Sequence, residues 1–212
     1  MRIPKHEAVV LLHGLGLHAY FMAKVARRLN ENGYDVYNID YPSRYHNIET
    51  VTAFIHDQIQ NKQIGVYRHV HLIGHSLGGI LARNLLYRYW CRNQGKVIAL
   101  APPNKGSLLV DRLRVYSPLR WYLGPAFLEL GSNSHFLNNL QYIPNDYHVI
   151  AGNSSKWTLF GRLFSDENDG VVSVESTLAE GMERTHHSVY PVTHFSILYD
   201  EDVFNCILKI LK

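Results

Sequence analysis

Residues Gly74-His75-Ser76-Leu77-Gly78 decide the fold, because they match the pattern Gly-x-Ser-x-Gly. The preceding residues 70–73 are short and apolar, which indicates a buried strand, and residues 79–86 are typical of a helix. A serine on such a sharp strand-to-helix turn would sit in a strained backbone conformation that the flanking glycines permit. Its hydroxyl would stand clear of the sheet at a helix N-terminus, so Ser76 is a candidate nucleophile.

Length and composition favour one globular domain over residues 1–212. The chain is 46% hydrophobic and 18% charged, which is ordinary for a protein with a sizeable core. The net charge of +3 is small and no run of lysines and arginines occurs, so we expect no nucleic-acid partner.

The two cysteines, Cys91 and Cys206, are too few for a disulfide framework and lie in predicted helices. We expect buried free thiols and a reducing, cytoplasmic location, with no metal and no cofactor. The apolar run at residues 8–12 is shorter than the core of a secretory signal, and no window is apolar enough to span a membrane.

Hydrophobic runs predict an alternation of strands and helices. Strands are predicted at residues 8–12, 34–39, 70–73, 96–101, 147–151 and 188–192, and helices at 18–32, 48–61, after Ser76, and at 195–211. This order predicts an α/β fold with a mostly parallel central sheet and helices on both faces. Residues 102–145 are apolar but broken by prolines and glycines, so we expect a small helical cap, or lid, inserted there.

A serine nucleophile needs a histidine base and an acid that orients it. After a turn of this type the acid precedes the histidine along the chain. His194 lies between the last predicted strand and the last predicted helix, whereas the rival histidines occupy less suitable positions. Those rivals are His75, His148, His186 and His187.

Asp169 lies in a polar loop, next to a glycine and a valine pair that re-enters the core. Asp166 and Glu167 are rivals in the same loop. The nucleophile also needs two backbone N–H groups for the developing oxyanion. We expect these from Leu77, after the serine, and from Leu15, in a loop where Gly14 and Gly16 allow the backbone to fold close to the substrate.

Four segments resemble the bacterial lipase and esterase branch of the α/β-hydrolases: residues 10–16, 74–79, 168–172 and 193–194. The resemblance runs from about residue 9 to the end of the chain. It implies an α/β-hydrolase fold in which Ser76 is the nucleophile, His194 the general base and acid, and Asp169 the orienting carboxylate. It also implies an oxyanion hole formed by Leu15 and Leu77.

The chain departs from this pattern in one respect that concerns metal binding. Many secreted relatives carry a calcium-binding aspartate two residues after the catalytic histidine, where this chain has Ser196. Residues 200–202 are acidic but are interpreted as capping the last helix. No calcium site is expected, and a secreted fat-digesting enzyme is less favoured.

The predicted cap carries what the sequence says about substrate. Arginines at positions 112, 114 and 120 interleave with apolar residues, from which we expect Leu113, Trp121 and Tyr122 to bind substrate. Such a cap suits an acyl chain with an anionic or zwitterionic head, and transient contact with a membrane surface. The alternative is that these apolar residues only pack the cap onto the core.

Three functions are compatible with these residues. The first is a serine carboxylesterase or lipase that acts on acyl esters by a Ser-His-Asp mechanism. The second is an acyltransferase or thioesterase on the same scaffold, which differs only in the acceptor that the pocket admits. The third is a catalytically silent module that binds lipid.

Overall fold

The computed structural model describes residues 6–89, 92–155, 160–182 and 186–212, and these contain one six-stranded sheet. Its strands are β1 (Glu7–Leu12), β2 (Asp35–Ile39), β3 (His69–His75), β4 (Gln94–Leu100), β5 (Tyr147–Gly152) and β6 (His187–Tyr190). The spatial order is β2-β1-β3-β4-β5-β6, and every neighbouring pair is parallel. The predicted α/β fold with a parallel sheet is confirmed.

Helices cover both faces of the sheet because its strands are apolar on both sides. The long helices are α1 (Ala23–Glu31), α2 (Ile48–Asn61), α3 (Leu77–Arg88) and, last in the chain, α9 (Glu201–Leu211). Along β1, Val10 and Leu12 join one buried cluster with residues of α2 and α3. Val9 and Leu11 join the opposite cluster with residues of α1 and α9. This alternation follows from the two-residue period of a strand.

Local side-chain hydrogen bonds set the helix boundaries. The Asn47 side chain accepts from the backbone N–H of Thr50 and begins α2, and the Asp200 side chain accepts from Val203 and begins α9. The last helix therefore begins later than predicted, and a 3₁₀ turn at Ser196–Leu198 precedes it.

The predicted cap consists of four short helices between β4 and β5. They are α4 (Leu108–Leu113), α5 (Ser117–Leu123), α6 (Pro125–Leu128) and α7 (His135–Asn139); α8 (Val174–Thr177) follows β5. Gly124 separates α5 from α6 with φ of 80°, and a Cβ there would lie 1.6 Å from the carbonyl oxygen of Arg44. The cap is thus held tightly against the loop that follows β2.

The prediction of buried free thiols is met only in part. Cys206 is half-buried on α9, and Cys91 lies outside the described residues. Across the described segments, none of the helices has the length and apolarity required to span a membrane.

Candidate active site

Ser76 occupies the turn between β3 and α3 with φ of 53° and ψ of −118°, a conformation rare for a residue with a side chain. The turn is tight on both sides. A Cβ at Gly74 would lie 2.2 Å from the carbonyl oxygen of Gly78, and one at Gly78 would lie 2.2 Å from that of Leu12. Glycine is required at both positions because the clashing atoms are backbone, so the pattern around the serine reflects close packing of strand and helix.

His194 and Asp169 form a buried pair. Nδ1 of His194 lies 2.7 Å from Oδ2 of Asp169, and the two side chains are 5% and 1% exposed. The backbone N–H of His194 also donates to the Asp169 carbonyl oxygen, at 3.0 Å. Because an ionised carboxylate only accepts, Nδ1 carries the ring proton and the lone pair of Nε2 remains available.

The second oxygen of Asp169 is fixed by backbone donors. Oδ1 accepts from the N–H groups of Val171 and Val172, at 2.9 and 2.8 Å. Both oxygens of the buried carboxylate are therefore hydrogen-bonded, which compensates for the loss of water. The carboxylate is held in the orientation that the imidazole requires.

His75 contacts the backbone of His194. Its Nε2 lies 2.8 Å from the carbonyl oxygen of His194 and therefore donates to it. Burial, and to a smaller degree the neighbouring His194 ring, lowers the pKa of His75 to about 3, so its ring is neutral at physiological pH. Nδ1 of His75 is buried and has no hydrogen-bond partner in the described part of the chain. His75 thus fixes the backbone of His194 without adding a charge beside it.

Hydrogen bonds join the loop after β1 to the loop after β2. The backbone N–H of Gly16 donates to Oγ of Ser43 at 2.9 Å, and the Tyr41 hydroxyl donates to the carbonyl oxygen of His13. The His13 and Tyr41 rings stack with centroids 3.8 Å apart, and burial lowers the pKa of His13. These contacts hold Leu15 at the rim of the site.

Leu15 and Leu77 have the backbone groups expected of oxyanion donors. Their N–H groups make no hydrogen bond to any residue that the structure describes. Leu77 is the first residue of α3, where the N–H groups of a helix lack partners within the helix. Both N–H groups therefore remain available to donate a hydrogen bond.

Ser76 and His194 line one cavity of about 160 Å³ beneath the cap. The remaining lining residues are almost all apolar: Gly14, Leu15, Leu17, His75, Pro103, Ser107, Leu109, Val110, Leu113, Leu123, Phe127, Leu130, Val171, Val172 and Phe195. The Ser76 hydroxyl makes no hydrogen bond to a described residue. Contacts between a catalytic serine and histidine often tighten only when substrate binds.

Of the three predicted substrate-binding residues, only Leu113 lines this cavity. Leu113 lies on its wall, whereas Trp121 is 88% exposed and Tyr122 is 59% exposed outside it. The ring of Tyr122 packs beneath the Arg44 guanidinium, 4.7 Å away. The cap residues that line the cavity instead include Leu123 and Phe127, which sequence reasoning did not select, although both are apolar residues of the predicted cap.

Of the rival histidines, His75 lines the cavity, and the other three lie elsewhere. His148 contacts Asp146, and His187 contacts Thr177, in each case through Nε2. His186 packs its ring against His148, with centroids 4.3 Å apart. None of the three lines the cavity. The acidic rivals Asp166 and Glu167 are exposed.

The sequence matches the model of the alpha/beta hydrolase family over residues 9–197. This chain therefore belongs to the alpha/beta hydrolase family, in agreement with its parallel sheet and its serine on the turn after β3. No curated protein matched the sequence.

Several solved structures share the fold. The mature form of the Bacillus licheniformis lipase BlEst2 has a TM-score of 0.76 at 21% identity, covering 100% of this chain and 94% of that chain. The Exiguobacterium antarcticum esterase EaEST has a TM-score of 0.69 at 17% identity, covering 99% and 93%. The Legionella pneumophila phospholipase PlaB, in complex with thio-NAD, has a TM-score of 0.67 at 17% identity, covering 81% of this chain but 44% of that chain.

Proposed function

We propose that this protein is a serine hydrolase of the carboxylesterase or lipase type. One observation carries the proposal: Ser76 shares an apolar cavity with His194, whose tautomer is set by the buried Asp169 carboxylate. That tautomer leaves the Nε2 lone pair of His194 available for the serine proton. A nucleophile, a base and an orienting acid are the parts that acyl transfer requires.

The proposed reaction uses these groups in two steps. Nε2 of His194 takes the Ser76 proton as Oγ attacks the ester carbonyl carbon, and the carbonyl oxygen becomes anionic. The N–H groups of Leu15 and Leu77 stabilise that oxyanion. His194 then gives the proton to the departing alcohol, which leaves an acyl group on Ser76. Water, deprotonated by His194, attacks the acyl carbonyl, and the carboxylic acid departs as Ser76 recovers its proton.

The cavity wall favours an acyl chain as the group that is bound. Among the described residues that line the cavity, none is Asp, Glu, Lys or Arg. Burying a charged group against such a wall would be costly, whereas burying methylenes is favourable by about 0.8 kcal/mol each. The names of the similar structures, a lipase, an esterase and a phospholipase, support the same class of substrate.

Hydrolysis of p-nitrophenyl esters from acetyl to palmitoyl tests the proposal. We expect wild type to turn over, with an optimum of chain length set by the cavity, and Ser76→Ala to lose about 10⁴-fold or more in kcat. The matched control is Ser132→Ala, which removes an exposed hydroxyl of the cap and should retain activity. Equal activity of wild type and Ser76→Ala would contradict the proposal.

Two further measurements separate the alternatives. If an added short alcohol captures most of the acyl group as a new ester, the protein is an acyltransferase on the same scaffold. If a serine-directed phosphonate fails to label Ser76 in wild type, the site is silent and the lipid-binding alternative is favoured.

A further inference from the structure

The cap exposes large apolar side chains on its outer surface. Val115 is 73% exposed, Tyr116 62%, Trp121 88% and Tyr122 59%. We call these four residues the cap face. Exposed apolar side chains grouped in one segment mark an interaction site more often than single exposed residues do.

The cap face is distinct from the surface that packs the cap. On α4 and α5, Leu109, Leu113 and Leu123 line the cavity or contact the core. None of the four cap-face residues lines the cavity or joins a buried cluster, although the ring of Tyr122 packs against the Arg44 guanidinium. Trp121 also borders a surface depression with Arg120 and Leu128, which extends the apolar surface to α6.

Positive charge accompanies the cap face. Arg112 and Arg120 are exposed, and neither has an acidic partner among the described residues. Residues 102–145 contain two acidic residues, and the carboxylate of each accepts a backbone hydrogen bond. Asp111 accepts from the N–H of Ser132, and Glu129 accepts from the N–H of Ile48. The outer surface of the cap is therefore both aromatic and cationic.

We propose that the cap face docks on an anionic lipid bilayer. Tryptophan and tyrosine favour the boundary between headgroups and acyl chains, because one part of each ring system is apolar and another is polar. Arginine can bury its methylenes there while its guanidinium contacts lipid phosphate. Docking in this orientation would bring the cap helices that line the Ser76 cavity to the surface where acyl esters reside.

This inference deepens the proposed function, on which it rests for the identity of the substrate, but the binding step does not require catalysis. The test therefore uses the Ser76→Ala protein, which cannot consume lipid, in co-sedimentation with vesicles. We expect binding to equimolar phosphatidylglycerol and phosphatidylcholine vesicles, and much weaker binding to phosphatidylcholine alone. Added salt should reduce the binding, since exposed charges are screened.

Variants divide the apolar contribution from the ionic one. Replacing Trp121 and Tyr122 together by alanine should weaken vesicle binding by about tenfold or more. Arg112→Gln and Arg120→Gln should each weaken binding to anionic vesicles by about fivefold. The aromatic variant should keep wild-type turnover of p-nitrophenyl acetate in the Ser76-containing protein, because neither side chain lines the cavity.

The control is Val66→Ala, which removes another exposed apolar side chain. Val66 is 77% exposed and lies before the first residue of β3, whereas the cap follows the last residue of β4. It should leave vesicle binding unchanged.

Equal binding of Ser76→Ala to anionic and neutral vesicles, or an unchanged affinity in the double aromatic variant, would overturn the proposal. So would a dimer in sedimentation velocity that the aromatic variant dissolves, since a second copy would then occupy the cap face. If vesicles bind as expected while ester hydrolysis is absent, the docking surface stands and the proposed function fails.

Discussion

Gly78→Ala is the substitution that most directly tests the packing of the active-site turn. Gly78 is the second residue of α3, and helix propensity alone predicts that alanine would stabilise the helix by about 1 kcal/mol. The structure predicts the opposite. The new Cβ would lie 2.2 Å from the carbonyl oxygen of Leu12, 2.7 Å from its carbonyl carbon and 2.9 Å from the carbonyl oxygen of His13.

The magnitude follows from those distances. An ordinary contact between an aliphatic carbon and a carbonyl oxygen is about 3.3 Å or more, so helix and strand must separate by about 1 Å. No side chain can rotate away, because the clashing atoms are backbone and β1 is paired with β2 on one side and β3 on the other. Overpacking of this kind costs about 3 kcal/mol, which corresponds to a fall of roughly 6–12 °C in Tm for a chain of this size.

The same displacement should reduce catalysis. It would move the N–H of Leu77, at the start of α3, relative to the N–H of Leu15, in the loop that follows β1. A misplacement of about 1 Å at a catalytic group costs about 10²-fold, so kcat/KM should fall by that factor under conditions where the variant is folded.

Thermal unfolding and ester hydrolysis of purified Gly78→Ala measure both effects. The matched control is Gly65→Ala, because a Cβ at Gly65 would meet nothing within 4 Å. That variant should stay within about 0.5 kcal/mol of wild type. If Gly78→Ala melts within about 2 °C of wild type and keeps its activity, the inferred contact between β1 and α3 is wrong.

Three other substitutions test separate parts of the site. Asp169→Asn should lower kcat by about 10³- to 10⁴-fold, because an amide no longer enforces the tautomer of His194. Asp166→Asn, at an exposed position of the same loop, should retain activity. Loss of activity in both variants would contradict the assignment of Asp169 as the orienting carboxylate. Leu123→Trp should fill part of the cavity and shift the preferred p-nitrophenyl ester to a shorter acyl chain, and an unchanged chain-length profile would show that the acyl group lies elsewhere. The folded pKa of His75, about 3, is below its unfolded value of 6.5, so the unfolded chain binds more protons below about pH 6.5 and acid destabilises the fold. Between about pH 7.5 and pH 5, urea unfolding should therefore show wild type losing about 2 kcal/mol more than His75→Gln, and equal losses would show that His75 is not buried in its neutral form.

The strands and the long helices could be predicted because their signals are local. An apolar run flanked by polar residues indicates a buried strand wherever it occurs, and β1, β3 and α3 lie close to their predicted positions. The last helix was predicted to begin too early. Thr193 and Ser196 bond to each other through side chain and backbone and form a turn there, and Asp200 begins the helix only afterwards. Hydrophobic periodicity contains no information about such bonds. An aspartate is, however, typical of the residue that begins a helix, so Asp200 could have indicated the correct start.

The sequence by itself determined the α/β architecture, the position of Ser76 on a turn after a strand, and the chain order of serine, aspartate and histidine. These depend on near neighbours: glycines that permit a turn, and apolar residues that require burial. Tertiary structure alone decided which cap residues line the cavity. Helices of four to seven residues are too short to show a periodic pattern, so Trp121, exposed, and Leu123, on the cavity wall, are equivalent in the sequence. Tertiary structure also decided the role of His75. Its contact with the His194 backbone joins residues 119 positions apart, and it exists only after β3 and the loop following β6 are brought together.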